Sequence, residues 1–336
     1  MKHAFLLRTR AAQRAALAKT PALTLWAALL MCAVPTQAMP LLGPDLNTFA
    51  VLGGSTVVNT PTSAVGGNVG VWSSEGGNVI TGFQSSPGAA VLDPQVSGGL
   101  VHAGTTVGFP NAMAAQGQLT SAITNLGSLG SGTLLVADLA GLTLFPGVYT
   151  VSAGPTNLSG ALTLDGQGNA NAAWVFQLPS TLVTSANAAV SVINTGAGAG
   201  LFWNVGSSAT IGTNTAFLGN ILALASITMN TDASDVCGRV LASNGAVTLN
   251  QNDVSRNCLG VLAGSDGLSG GLDVVTRPGG GTAVVFLPFQ PVDAGLQVPE
   301  PGSLGLTAIG LLGAVVVGRR RRLVEKLSAR VPEPLS

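Results

Sequence analysis

Few residues of this chain could carry catalytic chemistry. His102 is the one histidine between Met39 and Val298, whereas a zinc site needs roughly three or four ligands. The segment Gly267–Gly271 (GLSGG) matches the G-x-S-x-G pattern of a nucleophilic serine, but glycine-rich sequence makes chance matches common and no clear strand precedes it. Polysaccharide-cleaving β-helices pair clustered carboxylates with lysine or arginine, and there is no lysine between Met39 and Val298. We therefore expect no enzyme activity, no metal site and no cofactor.

Hydroxyl and amide side chains are far more abundant, and many occupy a region without charge. Gly166 to Thr231 are 66 consecutive residues with no ionisable side chain, where about 16 charges would be usual. Between Met39 and Val298 three arginines stand against eleven carboxylates. So few cations cannot neutralise phosphates, which excludes nucleic acid as a partner. A hydrophobic content of 46% is ample for a core and argues against disorder.

Short β-branched segments recur through the uncharged region with a period. Similar segments begin at Leu162, Leu182, Thr210, Thr228 and Thr248. The steps between them are 20, 28, 18 and 20 residues, and the longest contains the glycine-rich Thr195–Gly200. A repeat of about 19 residues with about three short strands is typical of one coil of a β-solenoid, whereas a propeller blade needs about 40–45 residues.

One segment, Pro110 to Gly127, has the pattern of a helix. Its apolar side chains recur at helical spacing, Pro110 suits a first turn, and Gly127 can end the helix. The predicted buried residues are Met113, Leu119, Ala122, Ile123 and Leu126. Such a helix would be ~27 Å long and would cover about five or six coils stacked ~4.8 Å apart.

The N-terminus is predicted to be an export signal. Basic residues up to Lys19 precede the apolar run Ala22–Val34, and small residues stand at the −3 and −1 positions before a cleavage site after Ala38. Thirteen apolar residues are too few to span a ~30 Å hydrocarbon core. We therefore assign residues 1–38 to a signal peptide.

The C-terminus is predicted to be a second sorting device. Val298–Pro301 (VPEP) is followed by the apolar segment Gly302–Gly318 and then by Arg319–Arg322. This order closely resembles the PEP-CTERM sorting signal of Gram-negative bacteria, which implies a transmembrane segment at 302–318 and processing by an exosortase-type enzyme. The arginines would stay on the cytoplasmic side. The remaining residues, 323–336, form a tail that departs from the pattern, and a plain membrane anchor is the alternative.

Two further expectations concern the region before the sorting signal. Cys237 and Cys258 are the cysteines left after signal removal, and export favours a disulfide between them. Residues 261–297 form an extension in which Thr282–Phe286 is predicted to be a strand. That strand either pairs with the solenoid or belongs to a spacer before the sorting signal.

The body resembles the DUF3494 (type 1) ice-binding protein family. The resemblance covers roughly Leu46 to Asn257, in order, and the matching segments are Phe49–Asn59, Gly67–Val71, Asp138–Tyr149, Leu162–Gly168, Trp174–Gln177, Phe202–Thr210, Gly219–Leu224 and Asn244–Leu249. It implies a mostly β fold over residues 39–260: a discontinuous, right-handed, three-faced β-solenoid with one long α-helix along a face. It also implies that the N-terminal segment closes the solenoid beside the last strands.

An ice-binding surface must order water as ice does, and a flat grid of uncharged hydroxyl, methyl and amide groups on stacked strands can do this. The candidate residues for such a grid are Thr184, Asn187, Thr210, Thr213, Thr215, Thr228, Thr231, Ser234 and Thr248. Each threonine could equally be a plain strand former, and a one-residue error in register exchanges the two sides of a strand. The main alternative function is a cell-surface adhesin or matrix protein that binds exopolysaccharide.

Overall fold

The computed structural model describes residues 38–75, 77–104, 111–277 and 280–292. The predicted sorting signal, membrane span and tail lie outside these residues, as do the signal peptide up to residue 37 and Pro110. Among the described residues, no helix is long and apolar enough to cross a membrane.

Twenty-six strands and one α-helix make up the described part of the chain. The helix, α1, spans Ala112–Gly127, and short 3-10 turns lie at Leu46–Thr48 and Gly260–Leu262. The strands are β1 (Met39–Pro40), β2 (Phe49–Gly53), β3 (Thr56–Thr60), β4 (Ala64–Gly66), β5 (Asn68–Val71), β6 (Val79–Thr81), β7 (Ala90–Val91), β8 (Val96–Ser97), β9 (Val101–Ala103), β10 (Thr133–Leu135), β11 (Thr143–Leu144), β12 (Gly147–Val151), β13 (Thr156–Leu158), β14 (Ala161–Asn169), β15 (Ala173–Leu178), β16 (Leu182–Thr184), β17 (Ala189–Thr195), β18 (Gly200–Val205), β19 (Ala209–Ile211), β20 (Ala216–Ala223), β21 (Ile227–Met229), β22 (Ser234–Ala242), β23 (Val247–Asn250), β24 (Asp253–Ser255), β25 (Leu272–Thr276) and β26 (Thr282–Phe286).

The strands wind into coils with three faces, as the resemblance implied. The helix face has the spatial order β10-β12-β15-β18-β20-β22-β2-β5-β9-β7. The threonine face, named for Thr210, Thr228 and Thr248, has the order β13-β16-β19-β21-β23-β3-β6. The third face has the order β11-β14-β17-β20-β22-β24-β4-β8, and the long β20 and β22 turn the corner between it and the helix face. All pairings within the faces are parallel except that of β7 with β9.

Alternation along each short strand decides what is buried. In β19, β21 and β23 the first and third residues are buried and the second is only partly covered. Parallel pairing keeps equivalent residues on the same side, so the inward residues form continuous columns. An aromatic column runs through the interior, with ring centroids 5.7 Å apart for Tyr149 and Phe176, 4.1 Å for Phe176 and Trp203, and 5.0 Å for Trp203 and Phe217.

The period predicted from the sequence needs one correction. Leu182 pairs with Ala209, and Ala209 pairs with Ile227, so these segments do occupy successive coils of one face. Leu162 instead lies in β14 on the third face, where its partner is Val190. The step from Leu162 to Leu182 therefore joins two faces, because β13 and β14 both look like a short β-branched segment.

Helix α1 lies along the helix face, close to its predicted bounds. The Asn111 side chain caps it by accepting hydrogen bonds from the backbone N–H groups of Met113 (2.9 Å) and Ala114 (3.5 Å). The buried residues are Ala112, Ala115, Gln116, Leu119, Ala122 and Leu126. Met113 was wrongly assigned to the buried side, because the true contact stripe starts from Ala112 and is made largely of alanine.

The N-terminal strands close the solenoid, as the resemblance implied. The strands β2, β3 and β4 pair with β22, β23 and β24, and so continue all three faces beyond the last coil. Buried Arg239 fastens this closure. Its guanidinium donates to Asn47 (O and Oδ1, both 2.8 Å), to Asn220 Oδ1 (2.9 Å) and to the carbonyl of Asp266 (2.8 Å).

The extension after residue 260 has a small sheet of its own. β25 pairs with β26 and with β1, antiparallel in both cases, and Leu272 and Val274 pack against α1 and the helix face. Thr282–Phe286 is thus a strand, as predicted, and it pairs within the extension rather than with a solenoid strand. The Cys237–Cys258 disulfide is also present and ties β22 to the segment after β24.

Candidate functional site

Strand register brings three predicted threonines into one row on the threonine face. Thr210 pairs with Thr228, and Thr228 pairs with Thr248, so they occupy the same position on three adjacent coils. Adjacent strands lie ~4.8 Å apart, which sets the spacing of their hydroxyl and methyl groups. The row through the strands of this face, in spatial order, is Asn157, Val183, Thr210, Thr228, Thr248, Val58 and Thr81. An isolated bridge continues it beyond Asn157 to the partly exposed Asp138, so the row ends there in a carboxylate.

A second line of polar groups borders this row at the corner that leads to the third face. Thr213 is exposed and Thr231 is partly exposed. Each lies two residues after the end of its strand, β19 and β21 respectively. Thr231 Oγ1 accepts a hydrogen bond from Asn250 Nδ2 at 2.7 Å, which fixes its position. The corner itself is formed by Asn187, Asn214, Asp232 and Gln251, whose φ values of +61°, +56°, +58° and +55° place each of them in the left-handed region.

Asn187 is exposed, and its left-handed backbone accounts for an asparagine at this corner. Asparagine and aspartate tolerate left-handed φ better than most other non-glycine residues do, which explains why they occupy three of these four corner positions, with Gln251 at the fourth. Gly212, also at the corner, has a close-approach role. A Cβ there would stand 2.5 Å from the carbonyl oxygen of Thr184, so only glycine lets these two coils approach.

Burial removes Thr184 and Thr215 from the candidate grid. Their hydroxyls lie 3.0 Å apart in the interior, and Thr184 Oγ1 accepts from the Gly212 N–H at 2.7 Å. Thr215 also donates to the carbonyl of Ser185 at 3.0 Å. These two threonines hold the corner from within and cannot contact a surface. The sequence pattern placed them one residue out of phase with the true outward positions.

Ser234 lies on a different face from the threonine row. It opens β22 on the third face, where it pairs with Ala216 and Asp253. The sequence prediction thus mixed residues from two faces, because the corner after Thr231 was not visible in the pattern. Conversely, it missed Val58 and Thr81, which join the row only through the N-terminal closure. The resemblance already implied this closure, so pairing the N-terminal segment with the last strands could have placed Val58 beside Thr248.

The threonine face is free of charge over the whole width of its strands. None of its seven strands contains an Asp, Glu, Lys or Arg residue. Asp232 is exposed at the corner just outside them. The third face carries Asp165 and Asp253 within its strands, and partial burial raises the pKa of Asp253. The helix face is covered by α1 and the extension.

The structure does not assemble a catalytic centre from the residues considered for one. His102 is fully buried beside Phe49, its ring nitrogens have no hydrogen-bond partner among the described residues, and burial lowers its pKa to about 4. The Ser269 hydroxyl contacts the carbonyl of Ser265 at 3.4 Å. Within the described ranges, no three His, Cys, Asp or Glu side chains are grouped so that they could hold a metal ion.

These features define a three-faced β-solenoid with one face sheltered by a helix and one broad face open to solvent, whose strands carry no charge. The Ice-binding-like family model matches residues 51–255, and the chain belongs to that family, which confirms the resemblance. The PEP-CTERM protein-sorting motif matches residues 297–322, which indicates export to the surface of a bacterium or beyond it.

Known relatives agree with this assignment. An ice-binding protein from Nostoc sp. is 44% identical over 219 residues, which are 65% of this chain and 74% of the relative. The crystal structure of an ice-binding protein from the ascomycete Antarctomyces psychrotrophicus is similar over 65% of this chain and 98% of its own, with 31% identity and a TM-score of 0.54. The DUF3494 domain of Shewanella frigidimarina ice-binding protein 1 is similar over 66% and 98%, with 26% identity and a TM-score of 0.56.

Proposed function

We propose that this protein is an exported, non-enzymatic ice-binding protein that adsorbs to ice through the threonine face. Ice as the binding partner is supported by the family and by the relatives, each of which is described as an ice-binding protein. The in-register row Thr210–Thr228–Thr248 on an uncharged face supports the choice of face. These relatives give no support to the adhesin alternative as the main activity.

The row suits ice because it repeats. Each outward threonine offers one hydroxyl to hydrogen-bond water and one methyl to confine it, and the adjacent coils of Thr210, Thr228 and Thr248 repeat this pair at ~4.8 Å intervals. A single water-mediated contact contributes little free energy, but many contacts on one rigid scaffold engage together. Charged groups would orient the water in a different pattern, and the strands of this face contain none.

The route to the ice is export followed by sorting. The N-terminal signal peptide is removed after Ala38, and the apolar segment at 302–318 holds the protein in the membrane of a Gram-negative cell. An exosortase-type enzyme then processes the tail and releases the protein to the cell surface or the medium. Adsorption there pins an advancing crystal front, so ice growth and recrystallisation slow.

A pair of tyrosine substitutions tests the choice of face. Thr228→Tyr places a bulky ring in the centre of the row and should remove most of the thermal hysteresis, because the surface can no longer approach ice evenly. Ser191→Tyr is the matched control, since Ser191 is an exposed residue on a strand of the third face. Circular dichroism would verify folding. The opposite result, with loss in Ser191→Tyr only, would move the ice-binding surface to the third face.

A further inference from the structure

A cleft opens beside the helix, away from the strands of the threonine face. It lies between the N-terminal half of α1 and the turns that lead from the helix face to the threonine face, with a volume of about 520 Å³. Its lining includes Trp72, Ser73, Glu75, Gln116, Thr120 and Asn244. The volume is in the range of small-molecule sites.

Trp72 distinguishes this cleft, because its environment differs from that of the two other tryptophans in the described ranges. Trp174 and Trp203 are fully buried, and their Nε1 atoms donate to the carbonyls of Leu144 (3.2 Å) and Leu218 (3.0 Å). Trp72 is partly exposed and lines the cleft, and its Nε1 makes no hydrogen bond to another described residue. An indole in that position combines an apolar surface with an unused donor.

The polar groups of the cleft set the charge of its ligand. Glu75 is the one charged residue among the described residues of the lining and is exposed, while the serines, Thr120 and Asn244 supply neutral donors and acceptors. Because the described part of the lining has a carboxylate and no cation, phosphate, sulfate and uronate groups are disfavoured. A ligand rich in hydroxyl groups can donate to the carboxylate and accept from the amide.

The walls of the cleft are held in place before any ligand arrives. Gln116 Nε2 donates to the carbonyls of Gly53 (2.9 Å) and Ala242 (3.1 Å) and so fastens the helix to both turns. The Ser73 N–H donates to Asn78 Oδ1 at 2.5 Å, which holds the backbone directly after Trp72. A preformed cleft loses little conformational entropy on binding.

We propose that this cleft binds a neutral, hydroxylated sugar ring of a polysaccharide, stacked on Trp72 and hydrogen-bonded to Glu75 and Asn244. The cleft is an accessory site beside the ice-binding surface. Since it lies around the corner from the threonine row, a protein attached to an extracellular polysaccharide through the cleft would keep that row free for ice. The binding of sugar does not depend on the ice-binding proposal.

Tryptophan fluorescence provides a direct test. Purified protein would be titrated with cellohexaose, maltohexaose and laminarihexaose, and with hexagalacturonate as the charged counterpart. We expect a saturable change with at least one neutral glycan at high-micromolar to millimolar concentration, and weaker binding of the uronate. Trp72→Ala should weaken binding about tenfold, the size expected for loss of one aromatic contact. Because this variant lacks the reporting indole, the affinities of all variants are measured by isothermal titration calorimetry, and the fluorescence of Trp72→Ala gives the background of the other tryptophans.

Two variants separate binding from folding. Glu75→Gln keeps the shape of an exposed side chain and should weaken glycan binding without changing the unfolding temperature. Trp72→Phe keeps an aromatic surface and should bind between the wild type and Trp72→Ala. Thermal hysteresis should be equal in all of these variants. No saturable change with any of the three neutral glycans, equal binding by Trp72→Ala, or preference for the uronate would each overturn the proposal.

Discussion

The threonine face and the third face are made by the same coils, yet they differ in regularity and in charge. The threonine face pairs without a register shift, and its outward row is mostly threonine and valine. The third face has register irregularities between Phe217 and Gly219 and between Asp165 and Asn169. Its exposed residues include Asp253, Ile193 and Val236. A repeated coil therefore does not by itself make a repeated surface.

The interior shows the same contrast. Beneath the strands of the threonine face the inward residues are mostly Leu, Ile, Met, Ala and Val. Beneath the third face, β22 buries Asp235, and burial raises the pKa of this carboxyl well above its usual value. Every strand of the threonine face is short, whereas β20 and β22 continue around a corner. Short strands with uniform columns below them keep the threonine face even.

The largest expected effect comes from breaking the closure on which both faces depend. Arg239→Ala would leave the polar groups of Asn47, Asn220 and Asp266 without their buried partner. We expect a loss of about 3–5 kcal/mol in the free energy of unfolding, measured by urea denaturation. Arg256→Ala is the matched control, since Arg256 also contacts Asp266 but is partly exposed, and it should cost at most about 1 kcal/mol. Equal losses would show that Arg239 does not hold the closure.

A smaller effect should come from the carboxyl beneath the third face. Burial raises the pKa of Asp235, so the folded state favours the protonated carboxyl. The stability of the wild type therefore falls as pH rises from the unfolded pKa through the folded pKa. Asp235→Asn should therefore gain stability relative to the wild type as pH increases from about 4 to 8. Thermal unfolding of both proteins in the same buffers measures the difference. A constant difference across that range would contradict the shift.

The smallest expected effect lies at the edge of the threonine face. Thr213→Tyr and Thr231→Tyr place a ring at the corner, so we expect each to lower thermal hysteresis less than Thr228→Tyr does. Unfolding temperatures should stay close to the wild type because both side chains are at least partly exposed. Full activity in both variants would confine the ice-binding surface to the central row. A complete loss in either would extend it across the corner.

The sequence allowed the coil and the helix to be predicted, but not the assignment of residues to faces. Thr210, Thr228 and Thr248 were found because a period of about 19 residues is visible without knowing what lies between. Thr184 and Thr215 were misplaced because one residue of phase reverses inside and outside, and threonine is acceptable in both environments. Nothing in the pattern distinguished Ser234 from them, since the corner depends on the backbone conformation of Asp232.

The pairing of β2 with β22 has a consequence for how the chain crosses a membrane. Asn47 and Arg239 meet across a separation of 192 residues. The strand β2 has β5 as a partner nearby in sequence, but its contact with β22 cannot form until most of the body has emerged. Contacts this distant in sequence form late. The solenoid therefore cannot be closed before its C-terminal coils are available, and if the chain is exported from its N-terminus, as proposed, this last step follows the passage of those coils.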